Sequence, residues 1–351
     1  MLKPLKHAAL DILRSCGIFS LAMNSRWRQR RLLILCYHGT SIEDEHLWQP
    51  RLYVEPQKLE QRLEYLKRNH FSVLPLGEAV QRLRAGTLPP RSVALTFDDG
   101  TYDFFRQAYP LLRTYGFPAT VYQTTYYIPV ERPVFHLICS YMLWKRRGEV
   151  IADGKFVGLP GPLDLRTASG RTDVVRALRA ASKKDHLSAL QKDETAERLA
   201  GLLKIDYAAL RAKRILQLMN AQELKEISRN GVDVELHTHR HRTPEDETLF
   251  RKEIQDNRSA IRALTGTEPV HFCYPSGVYR LAFLPWLRQE QVVSATTCDT
   301  GLAQRENDSL LLPRFVDQQN RTQVEFESWA TGVGSWLPLS RRPDEEPGKK
   351  S

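Results

Sequence analysis

The chain has 351 residues, 42% apolar and 26% charged, with a net charge of +10 and a pI of about 9.4. That length holds one large α/β domain or two smaller ones and buries a core without disulfides or a structural metal. The five cysteines (Cys16, Cys36, Cys139, Cys273 and Cys298) are odd in number, scattered and free of any C-x-x-C pair. This excludes a disulfide framework and a thiolate zinc site, and suits a reducing compartment.

The first 30 residues predict an amphipathic basic helix. Leu2, Leu5, Ala9, Ile12, Leu13 and Cys16 recur at helical spacing, while Asp11, Arg14 and Gly17 interrupt what a secretory leader keeps apolar. Such a helix packs on the domain or lies on an anionic membrane. No apolar run approaches the length of a membrane span. The expected location is the cytoplasm, with peripheral contact at the inner membrane surface.

From there the pattern alternates. Strands are predicted over 31–37, 71–76, 92–97 and 118–124, with helices over 56–69, 77–85 and 102–115 between them. This points to a parallel sheet or an α/β barrel. The alternation stops near Tyr127. Residues 128–218 read as an insertion of loops and helices, clearest over 195–203 and 207–218. Alternation then resumes with a helix over 221–229 and a strand over 232–236. A helix capped at Thr243 follows over 244–264, then short strands over 271–274, 292–296 and 310–312. The domain is expected to run over 31–330, and the polar stretch 336–351 reads as a disordered tail.

Two polar clusters end apolar runs: Thr96-Phe97-Asp98-Asp99-Gly100 and His237-Thr238-His239-Arg240-His241. In α/β folds the active site lies at the carboxyl ends of strands, so both face the same end. Adjacent aspartates point to opposite sides of an extended segment, so one can bind a metal while the other stands beside it as a base. An extended histidine segment puts His237, His239 and His241 on one face; a helical turn pairs His237 with His241. Either supplies the imidazoles that a divalent metal takes. Taken alone, Asp-Asp-Gly also reads as a solvated turn.

These segments resemble the polysaccharide deacetylases, the NodB-type domain of carbohydrate esterase family four. The likeness rests on Thr96–Gly100 and on His237-Thr238 with His241. Leu35-Cys36-Tyr37-His38, Phe272–Gly277 and Leu312-Pro313-Arg314-Phe315 support it, the first and last resembling a subgroup with Y-H and L-P-R segments. The resemblance implies a distorted (β/α) barrel, here with a helical insertion, and metal-dependent hydrolysis of an N-acetyl group from a sugar. It implies Asp98 as the base, Asp99, His237 and His241 as metal ligands, and the Ser276 N–H as an oxyanion donor; zinc is the metal expected from the imidazole pair. At the place where the family's third motif supplies an arginine stands Cys273; Arg314 is the substitute charge partner for Asp98. No histidine follows His271 to act as the family's late general acid. His38, at the end of the first strand, is the favoured donor, with His239, a water or the reprotonated Asp98 as alternatives.

The implied substrate is an N-acetylated glycan of a surface polysaccharide or a lipid-linked precursor. Tyr102, Tyr122, Tyr126, Tyr127 and Trp144 are candidates to stack on sugar rings. The rival reading is an inactive deacetylase-like scaffold that binds carbohydrate or membrane. Nucleic acid, suggested by charge alone, is set aside because no basic motif interleaves with aromatics. The sequence does not specify an oligomeric state.

Overall fold

The computed structural model describes residues 2–337 except 158 and 160. Seven parallel strands close a barrel: β1 (Leu33–Tyr37), β2 (Ser92–Phe97), β3 (Ala119–Gln123), β4 (Val232–Leu236), β5 (His271–Cys273), β6 (Ser294–Thr300) and β7 (Leu312–Val316). Each pairs with the next, and β7 returns to β1 through Leu35 opposite Phe315. The predicted strand over 71–76 shrinks to Ser72–Val73, paired with the start of β2 outside the ring.

Side-chain alternation along the strands divides two apolar layers. Leu33, Leu35, Tyr37, Val93, Leu95 and Phe97 face outward onto the helices. Ile34, Ala94, Tyr122, Cys273 and Leu312 face inward, where Leu76, Ala79, Val80 and Leu83 of the helix Leu76–Ala85 join them. The barrel is therefore a packed core rather than a pore. Its upper layer is polar, and that layer carries the site.

Three helices precede β1: α1 (Leu2–Ser15), α2 (Ile18–Asn24) and α3 (Arg26–Gln29). The single predicted helix is broken at Gly17, whose φ of 77° is left-handed, and again at Ser25, which caps α3. They pack on α4 (Gln323–Thr331) through Leu10, Phe19, Ala22 and Val324. Between β3 and β4 the chain builds a second core. The helices Phe135–Lys145, Ala168–Lys184 and Ala189–Leu202 gather Ile138, Met142, Val174, Leu178 and Leu199 around Trp48 and Tyr53 from the loop after β1. This segment also holds a small antiparallel hairpin, Val150–Ile151 with Leu163–Asp164, which its polar, turn-rich sequence does not announce.

Two helix boundaries differ from the periodicity. The helix predicted over 207–218 stops at Ala212. Beyond it Arg214 and Leu216 take positive φ, and the chain is drawn against the Asp-Asp-Gly turn: Tyr102 N–H donates to Gln217 O, and Met219 N–H to Gly100 O. The helix predicted from Pro244 begins at Glu247, because Asp246 rather than Thr243 caps it, accepting from Leu249 N–H at 2.9 Å. The three-residue delay leaves chain for the histidine loop. Of the tail expected over 336–351, Trp336 closes a 3₁₀ turn that starts at Val333, and residues 338–351 lie outside the described residues.

Candidate active site

The two clusters meet at the carboxyl end of the barrel. Strand β2 ends at Phe97. Asp98 continues inward, and Asp99 turns the chain with a φ of 72°. Thr124, just past β3, holds that turn by donating its N–H and its hydroxyl to Asp99 O, at 3.3 and 3.1 Å. Gly100 follows with the same φ. A Cβ there would lie 1.9 Å from Gln123 Oε1, so only glycine fits.

The histidine loop is a turn rather than an extension. Thr238 and His241 both take left-handed φ, at 61° and 52°, and Thr238 Oγ1 accepts from Arg242 N–H at 3.0 Å. This folds His241 back beside His237, with ring centroids 4.9 Å apart. His239 points elsewhere: its Nδ1 pairs with Thr125 Oγ1 at 2.8 Å, and its ring meets the edge of Tyr126. The sequence alternative in which three imidazoles share a face is therefore not adopted, and His239 stands apart from the Asp99, His237 and His241 cluster.

The scaffold behind the loop is the buried face of the helix Glu247–Thr265, which carries Phe250, Glu253, Ile254, Asn257 and Ile261. Asn257 accepts from His237 N–H at 2.9 Å and donates to Gln123 O and Thr125 Oγ1, clamping the ends of β3 and β4 together. Glu253, buried, receives Arg240 N–H at 2.8 Å and Arg242 Nε at 2.6 Å. Sequence reasoning missed both. The signal was present, since each is a polar residue on the apolar stripe of a helix, where an unpartnered group is costly.

Asp99, His237 and His241 converge. Asp99 Oδ1 lies 3.2 Å from His237 Nε2 and 3.1 Å from His241 Nε2, and the three ligand atoms fall within 4.8 Å of one another. His237 Nδ1 lies 2.8 Å from Cys273 O, which can only accept; Nδ1 therefore carries a proton and donates it, and Nε2 is the ring nitrogen turned toward Asp99. Asp99 Oδ1 is buried and makes no hydrogen bond. Two imidazole nitrogens and a carboxylate oxygen converging on one point suit a cation, and a backbone carbonyl orienting a ligand histidine is the usual supporting contact. The residues fit a divalent metal. Burial alone would raise the Asp99 carboxyl, but the two imidazoles hold it well below the usual range; burial works against protonated His241, and Asp99 more than offsets it.

Asp98 has a different setting. Arg314, projecting inward from β7, grips both its oxygens, with Nη1 to Oδ1 at 2.7 Å and Nη2 to Oδ2 at 2.8 Å. Both side chains are buried, and Arg314 is oriented further by Thr297 O and Thr96 Oγ1. Cys273 Sγ lies 3.1 Å from Arg314 Nη2. A small thiol at that position leaves room for a guanidinium arriving from the neighbouring side of the barrel. Burial would raise the Asp98 carboxyl; the Arg314 charge and its hydrogen bonds outweigh it and keep Asp98 ionised. The second lone pair of Oδ2 faces Cys273 Sγ at 3.5 Å, Cys36 Sγ at 3.6 Å and His38 Nε2 at 3.7 Å. His38 is the histidine nearest Asp98 from the first strand, and burial holds its imidazole toward the neutral form.

The remaining expected residues divide by burial. Ser276 sits in the 3₁₀ turn after β5 with a φ of 57°. Tyr122 is fully buried inside the barrel beneath Arg314 and is excluded from sugar stacking. Tyr102, Tyr126, Tyr127 and Trp144 are half-buried, with Arg214 stacked on Tyr102 and Arg147 on Trp144. His136, at the start of the inserted helix Phe135–Lys145, was not singled out from sequence. It lies close enough to His241 and Asp99 to feel their charges, and burial holds it down to about 4.

Comparison with known proteins places the chain among a set of relatives. The sequence profile of the family described as polysaccharide deacetylase matches residues 85–152 and 205–293, the span between them lying within the inserted helices. A poly-beta-1,6-N-acetyl-D-glucosamine N-deacetylase of Escherichia coli (strain K12) is 28% identical over 101 residues, 28% of this chain and 15% of that protein. A Staphylococcus aureus (strain N315) protein of the same name is 32% identical over 83 residues, covering 24% and 28%. The matches thus span less than a third of these curated relatives. Among solved structures, the Streptococcus pyogenes deacetylase PplD in complex with acetate superposes with a TM-score of 0.55 at 19% identity, covering 83% of this chain and 93% of that one. IcaB from Ammonifex degensii superposes with a TM-score of 0.52 at 16% identity, covering 86% and 97%. These likenesses share the barrel, and with the sequence match and the motifs they carry one conclusion: the chain belongs to the polysaccharide deacetylase family.

Proposed function

We propose that this protein hydrolyses an N-acetyl amide on a sugar of a surface polysaccharide or lipid-linked glycan precursor, with zinc as its metal. The observation that carries the reading is the convergence of Asp99, His237 and His241 on one point beside an aspartate held ionised by Arg314. Two imidazoles and one carboxylate, leaving open positions, are the donor set of a catalytic zinc site. The ion would lower the pKa of a water and polarise the acetyl carbonyl.

The protein's own groups account for the remaining steps. Asp98, ionised and fixed in place, would receive a proton from the attacking water at Oδ2, on the side that faces His38 and the Cys36 and Cys273 thiols rather than Arg314. Arg314 cannot take that proton, and its grip on both oxygens prevents Asp98 from rotating. His38, beside Oδ2, is placed to relay a proton to the departing amine. Ser276, in its strained turn, presents the backbone N–H proposed for the developing oxyanion. The names of the curated relatives support a β-1,6-linked N-acetylglucosamine chain as the first substrate to try.

The test is acetate release from N-acetylglucosamine oligomers by chelator-stripped protein with and without added zinc. The reading predicts release only with the metal. No release from any acetylated glycan by zinc-loaded protein would contradict it and favour the glycan-binding scaffold.

A further inference from the structure

We propose that helices α1 and α2 dock the protein onto a lipid bilayer containing anionic lipids. Helix α1 packs on the domain by only one side. Leu10 is fully buried, Leu13 is partly buried beside it, and Lys6, His7 and Arg14 reach Glu325 and Glu327 of α4. Ile12, two positions from Leu10, points away from that contact. Leu5, Ala9, Ile12 and Cys16 form an exposed stripe at spacings of four, three and four, with Leu5 70% and Ile12 63% exposed. Helix α2 repeats the arrangement: Phe19 and Ala22 are buried, and Leu21 is 69% exposed. Helix α1 thus uses one apolar face for the fold and leaves a second one bare, and α2 adds one exposed leucine. Trp336, packed on Trp27 of α3, adds an exposed indole to the same assembly.

Charge selects the occupant. Residues 1–31 hold seven Lys and Arg against one acidic residue, so they carry +6 of the chain's +10. Arg28 is buried, donating to Ala330 O and Ser92 O, but Arg26 and Arg30 are exposed. An amphipathic unit with bare leucine and isoleucine, an indole at its edge and a basic surround is what an anionic interface binds. A second copy of the chain would bring two such basic segments together, which like-charge repulsion opposes.

Vesicle flotation tests this without any use of the active site, so its outcome is independent of the deacetylase reading. The full chain is mixed with phosphatidylcholine vesicles, with or without about a third phosphatidylglycerol. Binding to the anionic vesicles is expected, at least about tenfold weaker binding to the neutral ones, and weakening by salt. The variant Leu5→Ser/Ile12→Ser/Leu21→Ser should lose at least about tenfold in binding. Arg26→Glu/Arg30→Glu, which alters charge alone, should lose binding while the melting temperature is unchanged. The proposal is overturned if neither vesicle binds, if both variants float like the parent, or if light scattering shows a dimer that the triple variant abolishes.

Discussion

Asp98 and Asp99 are neighbours in the chain and belong to two differently built halves of one site. The Asp98 half is made by strands: Asp98, Arg314 from β7, Cys36 from β1 and Cys273 from β5 all point into the barrel, and Arg314 is fully buried. The Asp99 half is made by loops: Asp99, Thr238 and His241 sit in left-handed backbone, and the Asp99 and His241 side chains are 28% and 37% exposed. The difference teaches how the two tasks are met. A base needs a fixed position and a fixed charge, which a buried, bidentate partner supplies. A metal ligand needs a lone pair aimed at a shared point, which two partly exposed loop residues, Asp99 and His241, supply together with the buried His237.

The comparison breaks most severely at Arg314. Arg314→Ala leaves Asp98 buried without its partner, and unfolding in urea should show a loss of about 3–5 kcal/mol. Loss of less than about 1 kcal/mol would mean that the strand-built half is not under the electrostatic tension described. The loop-built half should respond in the opposite way. His241→Ala removes a half-exposed side chain, so the metal-free protein should lose only about 0.5 kcal/mol. The stabilisation of about 3 kcal/mol expected with zinc at a hundred times its Kd should vanish. Retention of that zinc-dependent shift would remove His241 from the ligand set.

The smallest effect sharpens what Arg314 does for Asp98. Asp103 is also buried, four residues from Asp99, but no guanidinium faces it; Thr40 N–H donates to it at 2.6 Å, and Glu45 and Tyr53 lie near. Burial pushes its carboxyl up to about 7, the reverse of Asp98. A carboxyl with a raised folded-state pKa binds its proton more tightly when folded, so its contribution to stability falls as pH rises from about 4 through about 7. Asp103→Asn keeps an acceptor for Thr40 and removes the titration. Relative to the parent, its melting temperature should rise between pH 5 and pH 8; a constant difference would contradict the assignment.

Much of the barrel was legible because strands and helices differ in hydrophobic period. The runs 92–97, 221–229 and 232–236 fall at their predicted limits. The motif residues were legible because Asp-Asp-Gly and the histidine cluster end those runs. The direction of His239 was not, since extended and turned geometries fit the same five residues and the choice rests on Thr125 and Glu253, far away in sequence. Nor was the end of the helix at Ala212, where pairing of residues 217–219 with the Asp-Asp-Gly turn overrides local helical spacing. Asn257 stayed hidden because its periodicity marks only a buried face and not the strand ends it clamps.

One variant, read twice, tests the division between the halves most directly. Asp98→Asn is measured for zinc content by equilibrium dialysis and for acetate release from an N-acetylglucosamine oligomer. The account predicts one zinc bound about as tightly as in the parent, with release reduced by roughly 10²–10⁴-fold. Undiminished release, or loss of zinc together with activity, would contradict it.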